Sequence, residues 1–251
     1  MRCPALSLLT SESAPTGSLT GLNKALVSDV PLGSGLSSAA ALKCSIAVAA
    51  YELDCGHAPD DDVRHQLAEA AMRAENDIVG ASTGGLDRTA SLFGAAGKAL
   101  VIDFDDHTHR LVNFDIADKG LVLLIADTNA PHELNDGQYA SRRGVIDDVQ
   151  NALGSLRHLS EEQIAAWAHE NGKDATLYAK RTGHVLHETA RTLEAADSLD
   201  AGDFDTFRRF MADSHASLRD DLEVTTPELH SAAEAAGTIG ARMAGGARRL
   251  V

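Results

Sequence analysis

Val30-Pro31-Leu32-Gly33-Ser34-Gly35-Leu36-Ser37-Ser38-Ala39-Ala40-Ala41-Leu42 is the stretch on which the reading of this chain turns. A proline–glycine turn leads into a cluster of small residues and then into an apolar helix. Leu42, Ile46, Ala49 and Leu53 recur at i, i+4, i+7 and i+11 and predict one buried helical face. The glycines allow a backbone to approach a ligand closely. The serines fall where a first helical turn leaves N–H groups unpaired and where the helix dipole favours an anion. Gly33, Ser34, Gly35, Leu36, Ser37 and Ser38 therefore form a candidate phosphate cradle. It is not a Walker loop, because no Lys follows the glycines. Plain capping of a helix start is the blander reading of the same residues.

Outward from this stretch, the bulk numbers narrow the field. The chain has 251 residues, 44% hydrophobic and 24% charged, enough for a sizeable core in one large domain or two small ones. A formal net charge of −15 argues against nucleic acid as a partner, since like charges repel. An anionic nucleotide must then be held by local donors. Cys3, Cys44 and Cys55 form no Cys-x-x-Cys pair and fit a reduced, cytoplasmic protein, with Cys44 as a small core residue. No apolar run is long enough for a signal peptide or a membrane span. His184, His187 and Glu188 share a helical neighbourhood that reads as solvated surface rather than a metal site.

The remaining pattern is of short elements. Residues 1–20 are weakly patterned. Asp60 to Arg73 predicts a helix with Val63, Leu67, Ala71 and Met72 on one side, opened by Pro59 and three acids. Ser91–Phe93 and Ala99–Phe104 flank Gly94–Gly97 and predict a β-hairpin. Leu121–Ile125 is a continuous apolar run that suits a strand buried on both faces. Beyond it the chain reads as helical, with one stripe at Val185, Leu186, Ala190, Leu193 and Leu199 and another at Phe207, Phe210, Met211 and Leu218. Gly202-Asp203 separates them. A domain boundary is expected near Asp118, giving 1–118 and 119–251.

Two carboxylates stand out as chemistry. Glu75 closes a helical stretch, and Asp87 follows the pair Gly84-Gly85 twelve residues later. Such groups can hold Mg²⁺ and accept a proton; solvated surface acids are the alternative. Here the wording becomes specific. Pro31-Leu32-Gly33-Ser34-Gly35-Leu36-Ser37-Ser38-Ala39 resembles the ATP-phosphate loop of the GHMP kinases. Three further segments resemble the galactokinases among them. They are Glu75 with Gly84-Gly85-Leu86-Asp87, Asp127 to Arg143, and Met211 to Leu229.

The resemblance covers roughly Val27 to Gly246 and implies an α+β, two-layer GHMP kinase fold. Its N-terminal part would be of the ribosomal protein S5 domain 2-like type, and its C-terminal part helix-rich. It implies phosphoryl transfer from ATP to the C1 hydroxyl of galactose, with ATP and Mg²⁺ as cofactors. By the same resemblance, Asp87 is the catalytic base, Gly85, Asp87 and Tyr139 meet the sugar, and Glu75 is the metal ligand. Gly33 to Ser38 seat the phosphates, and Met211 to Leu229 is structural. A monomer is expected, with no nucleic acid and no membrane.

Departures from the family pattern qualify this. Arg88 stands where Gln is usual, and Ala39 replaces a Ser whose hydroxyl helps to ligate magnesium in the family. The family's early Gly-Arg-Val-Asn-Leu-Ile-Gly-Glu-His-Thr-Asp-Tyr segment has no match. The glycine-rich motif begun at Ala241–Gly246 runs instead into Ala247-Arg248-Arg249-Leu250-Val251. The expectation is an incomplete fold with impaired activity, out of frame near Gly246. A non-catalytic sugar and ATP sensor, another GHMP sugar kinase such as an N-acetylgalactosamine kinase, and a poorly folded remnant are the competing readings.

Overall fold

The computed structural model describes residues 25–30, 36–79, 84–128, 138–236, 240–244 and 249–250. The chain divides into two compact units, residues 1–102 and 103–251. The expected boundary at Asp118 lies within a short 3₁₀ turn, Ala117–Lys119. The reading of residues 1–20 lies outside the described residues, as does that of Pro31 to Gly35 and of the end of the chain after Ala244, apart from 249–250.

The first unit is built on three helices, α1 (Ser38–Cys55), α2 (Asp61–Arg73) and α3 (Leu86–Phe93). Each packs on the other two. Their shared core is Cys44, Ala47, Tyr51, Val63, Leu67, Ala71, Leu92 and Phe93. Burial of a side chain such as Leu67 or Phe93 contributes about 1.5–3 kcal/mol. α2 begins where the acids predicted: Asp60 Oδ1 accepts the Val63 N–H at 2.9 Å, an N-cap bond. Val63, Leu67 and Ala71 are buried as expected.

α1 forms where expected but turns a different side inward. Ala40, Cys44, Ala47 and Tyr51 are buried, whereas Leu42 and Ala49 are exposed and Leu53 is 72% exposed. Both sets have the i, i+4, i+7, i+11 spacing, so periodicity could not choose between them. The small residues face α2 and α3, where close helix packing rewards low bulk.

The predicted hairpin is shifted. Ser91–Phe93 are the last turn of α3, not a strand, and Leu92 and Phe93 are there because the helix needs them in its core. Strand β1 (Lys98–Asp103) follows, then β2 (Thr108–Asn113), and the two form a two-stranded sheet. Cys44 is buried with a free thiol, as expected.

The second unit is helical: α4 (Gln138–Leu153), α5 (Glu161–Glu170), α6 (Ala175–Asp200), α7 (Phe204–Asp220) and α8 (Pro227–Ala236). α6 packs against α4, α5 and α7. Val149, Leu156, Ile164, Ala168 and Tyr178 form its main core. The starts are well encoded. Ser160 and Gln163 make a reciprocal capping box, and Asp174 and Asp203 accept N–H groups from Leu177 and Thr206 at 3.0 Å. Gly202, with φ 71°, turns α6 into α7. Pro227 occupies the first position of α8.

Two expectations fail here. In the first α6 stripe, Leu199 is buried and Val185 and Leu186 are half-buried, but Ala190 and Leu193 are exposed. Arg181, Thr182, His184 and Ser198 fill much of the buried face instead. Leu121–Ile125 is not a buried strand: Val122 is 88% exposed and Leu124 71%. Only the adjoining β3 (Ala126–Asp127) is paired, antiparallel to β4 (Arg249–Leu250), with Ala126 opposite Leu250. A strand buried on both faces needs neighbours at its edges and layers above and below. Among the described residues a two-residue ladder is all that meets it.

Candidate active site

The site residues of the first unit gather where α1, α3 and a π-helical turn, Ala74–Val79, come together. π-helical turns are rare and occur disproportionately at functional sites. This one continues α2 and carries Glu75, so the carboxylate is set by the helix before it.

Ser37 is the N-cap of α1 and adopts a left-handed conformation, φ 58° and ψ 38°, without a side-chain capping bond. A non-glycine residue there costs about 1–2 kcal/mol. Its carbonyl accepts the Ala41 N–H at 3.0 Å, the first helical bond. The amides of Ser38, Ala39 and Ala40 thus precede the ladder, in the manner that favours an anion. Leu36, Ser37 and Ser38 are exposed or half-buried. Gly33, Ser34 and Gly35 lie outside the described residues.

Gly85 is the N-cap of α3, and its carbonyl accepts both the Thr89 N–H and the Thr89 hydroxyl at 3.0 Å. Asp87 sits in the first turn of α3, half-buried. Its main-chain carbonyl accepts the Ser91 hydroxyl at 2.7 Å. Its carboxylate is close enough to Lys43 on α1 for the two charges to interact. Burial, first, and then the neighbouring Arg88 hold the Lys43 ammonium below its usual value.

Glu75 is engaged on two sides. Lys43 Nζ lies 2.5 Å from its Oε2, and Arg88 also pairs with Oε2. Arg88 is 2% exposed and donates to the Gly84 carbonyl as well. Burial lowers the Arg88 pKa, yet the group stays charged at neutral pH because arginine starts so high. Mg²⁺ demands a near-octahedral set of oxygens and holds its water tightly. A carboxylate oxygen already shared by an ammonium and a guanidinium does not fit that role, and Ala39 offers no hydroxyl. Among the described residues, no cluster of three or more His, Cys, Asp or Glu side chains is arranged to hold a metal ion. A cleft of ≈ 460 Å³ beside α1, lined by Ala41, Cys44, Ser45, Val48, Ser91 and Leu92 among others, includes none of these charged groups.

The sequence reading found Glu75 and Asp87 but missed Lys43 and the burial of Arg88. The signal for the latter was present: a charged residue directly after Asp87 where the family pattern has an amide.

In the second unit, Tyr139 lies in the first turn of α4, and its side chain falls outside the described residues. Arg143 pairs with Asp147 one helical turn on, at 2.7 Å. Arg142 donates to the carbonyls of Leu222 and Glu223 at 2.9 Å each. Glu223 in turn binds Lys180 at 2.6 Å and Arg181 at 2.5 Å. Those bonds hold its pKa down to about 2. The structural role expected of Met211 to Leu229 fits that network. His184 and Glu188 depart from the solvated surface expected of them. His184 is buried against Ser217, and Glu188 binds Ser214 at 2.6 Å and pairs with Arg191.

Comparison with known proteins adds a second line. Residues 5–95 match the family model described as GHMP kinases N terminal domain. The chain is 39% identical over 240 residues to the galactokinase of Bos taurus, covering 92% of this chain and 58% of that protein. It is 42% identical over 227 residues to the galactokinase of Mycobacterium tuberculosis, covering 88% and 60%. The structure of Lactococcus lactis galactokinase complexed with galactose superposes with a TM-score of 0.71 at 30% identity, over 88% of this chain and 58% of that one. The chain thus spans somewhat under two thirds of the length of these relatives.

Proposed function

We propose that this chain belongs to the GHMP kinase family, on its galactokinase branch, and that its site serves phosphoryl transfer from ATP to the C1 hydroxyl of galactose. The observation that carries the reading is the placement of Asp87. Its half-buried carboxylate stands in the first turn of α3, within electrostatic reach of Lys43, just after the anion-favouring start of α1. The galactose bound in the Lactococcus lactis relative supports the choice of sugar.

In this reading the backbone amides from Gly33 to Ser38 seat the nucleotide phosphates. Asp87 orients the sugar hydroxyl and takes its proton as the phosphoryl group leaves ATP. Gly85 would meet the sugar in the first unit, and Tyr139 is the sugar residue that the resemblance assigns to the second. Mg²⁺, when bound, would be held by the nucleotide's own phosphate oxygens and water rather than by Glu75, and would offset the phosphate charge. The nucleotide and catalytic residues of this proposal all fall within the expected first domain, 1–118. A cytoplasmic monomer is the matching setting. Catalysis rests on positioning and electrostatics.

The test is an assay of the full chain with ATP, Mg²⁺ and galactose, following galactose phosphate by ³¹P NMR. Slow turnover, well below the roughly ten per second typical of enzymes, is expected, and Asp87→Ala should lower it by a further factor of about 10²–10⁴. Faster turnover with N-acetylgalactosamine than with galactose would move the assignment to a different sugar kinase. Tight ATP and galactose binding without any transfer would move it to a sensor.

A further inference from the structure

We propose that Arg88 and Lys43 act as fixed internal cations on Glu75, so that this carboxylate is neutralised by the protein itself and does not recruit a divalent metal ion. Arg88 is the positioning residue: it acts through Glu75 rather than on a substrate.

Geometry supports this. Arg88 is 2% exposed and is anchored at both ends of its reach, to Glu75 and to the Gly84 carbonyl. Lys43 approaches the same oxygen, Oε2, from α1 at 2.5 Å. Glu75 itself lies in the π-helical turn, with its side chain 15% exposed. The pair therefore ties that turn to α1 and to α3. An incoming hydrated cation would have to compete for Oε2 with a guanidinium that is itself 2% exposed.

Charge balance points the same way. Lys43 and Arg88 offset Glu75 and Asp87 one for one. A divalent ion added to this neutral set meets two cations at close range, and the like charges repel. Arginine suits the task better than lysine would. Its charge survives burial, and its planar fork can hold a carboxylate and a carbonyl at once.

The pairing is independent of which sugar or nucleotide the site takes. Its consequence for catalysis rests on the phosphoryl-transfer reading above. The test therefore uses Mn²⁺ alone as the probe, on the full chain without nucleotide, with bound and free ion separated by electron paramagnetic resonance. Wild type and Glu75→Gln should give the same Mn²⁺ isotherm. Arg88→Gln should bind one additional Mn²⁺ at least about tenfold more tightly than wild type, and adding Glu75→Gln should abolish that gain. A Mn²⁺ site in wild type that Glu75→Gln removes overturns the proposal, whether or not Arg88→Gln folds. So does a folded Arg88→Gln that binds no better than wild type. A fluorescent ATP analogue titrated in the presence of EDTA reports nucleotide binding separately, so failure of the kinase reading is distinguishable from failure of this one.

Discussion

His184 Nδ1 lies 2.9 Å from the Ser217 hydroxyl, inside the contact of α6 with α7. Ser217 donates its own proton to Asp221 Oδ2 at 2.6 Å. The imidazole is therefore the donor to Ser217, as a neutral ring with its proton on Nδ1. Burial pushes its pKa down to about 4, with Arg191, Arg242 and Arg181 adding to the effect and Asp221 opposing it. A depressed folded pKa means that the unfolded chain takes up the proton first as pH falls. Stability is thus full above about 6.5 and is lost as pH drops towards 4. The loss should be roughly 2–4 kcal/mol, read as a fall in urea midpoint, and His184→Gln should flatten that part of the profile. An unchanged pH profile in the variant would refute the assignment.

Glu223 titrates lower still. Lys180 and Arg181 hold its carboxyl near 2, so its contribution is present above about 4.5 and disappears as pH falls through 2. A Glu223→Gln variant should lose stability at neutral pH and show a shallower acid limb below pH 4.5. Equal acid limbs in variant and parent would count against this.

Arg142 closes the end of α7 by donating to the carbonyls of Leu222 and Glu223. Arg142→Ala should cost about 1–3 kcal/mol, since carbonyls lose charged donors there. Hydrogen exchange should rise first at the amides of residues 217–224. A uniform rise across both units would instead indicate global loss.

Ser37 holds a left-handed conformation without a capping bond in return. Ser37→Gly should raise the thermal midpoint slightly, by a gain of up to about 1 kcal/mol. If the hydroxyl serves a phosphate, the same change should weaken ATP binding while the fold gains. A drop in midpoint would contradict the backbone argument.

Asp87→Ala should reduce sugar phosphate formation by about 10²–10⁴-fold, the range for a general base, without shifting the melting temperature by more than a degree or two. Asp87 has no hydrogen bond or ion pair through its carboxylate among the described residues, so a large loss of stability is not expected. Such a loss would recast it as structural.

What could be read from the letters follows from what local physics encodes. Asp60, Ser160, Asp174 and Asp203 mark helix starts because a capping bond needs only residues three apart. The pairing of turns with Gly202 and Pro227 is equally local. Glu75 and Asp87 were legible as acids at helix edges. Their neighbours were not: Lys43 lies 32 residues before Glu75, and nothing local says that the two meet. The buried face of α1 was misread because alanines make two faces equally plausible. Leu121–Ile125 was misread because an apolar run reports a need for cover, not its supply. His184 looked like surface because a polar face buried by Ser214, Ser217 and Asp221 has the same lettering as a wet one.

The bare aliphatic run at Val122–Leu124, together with Leu53 on the outer side of α1, has a practical corollary. Such patches invite molecules to stick through greasy contacts. A purified sample should therefore cloud on warming or in concentrated sulfate, which strengthens those contacts, long before its helices melt.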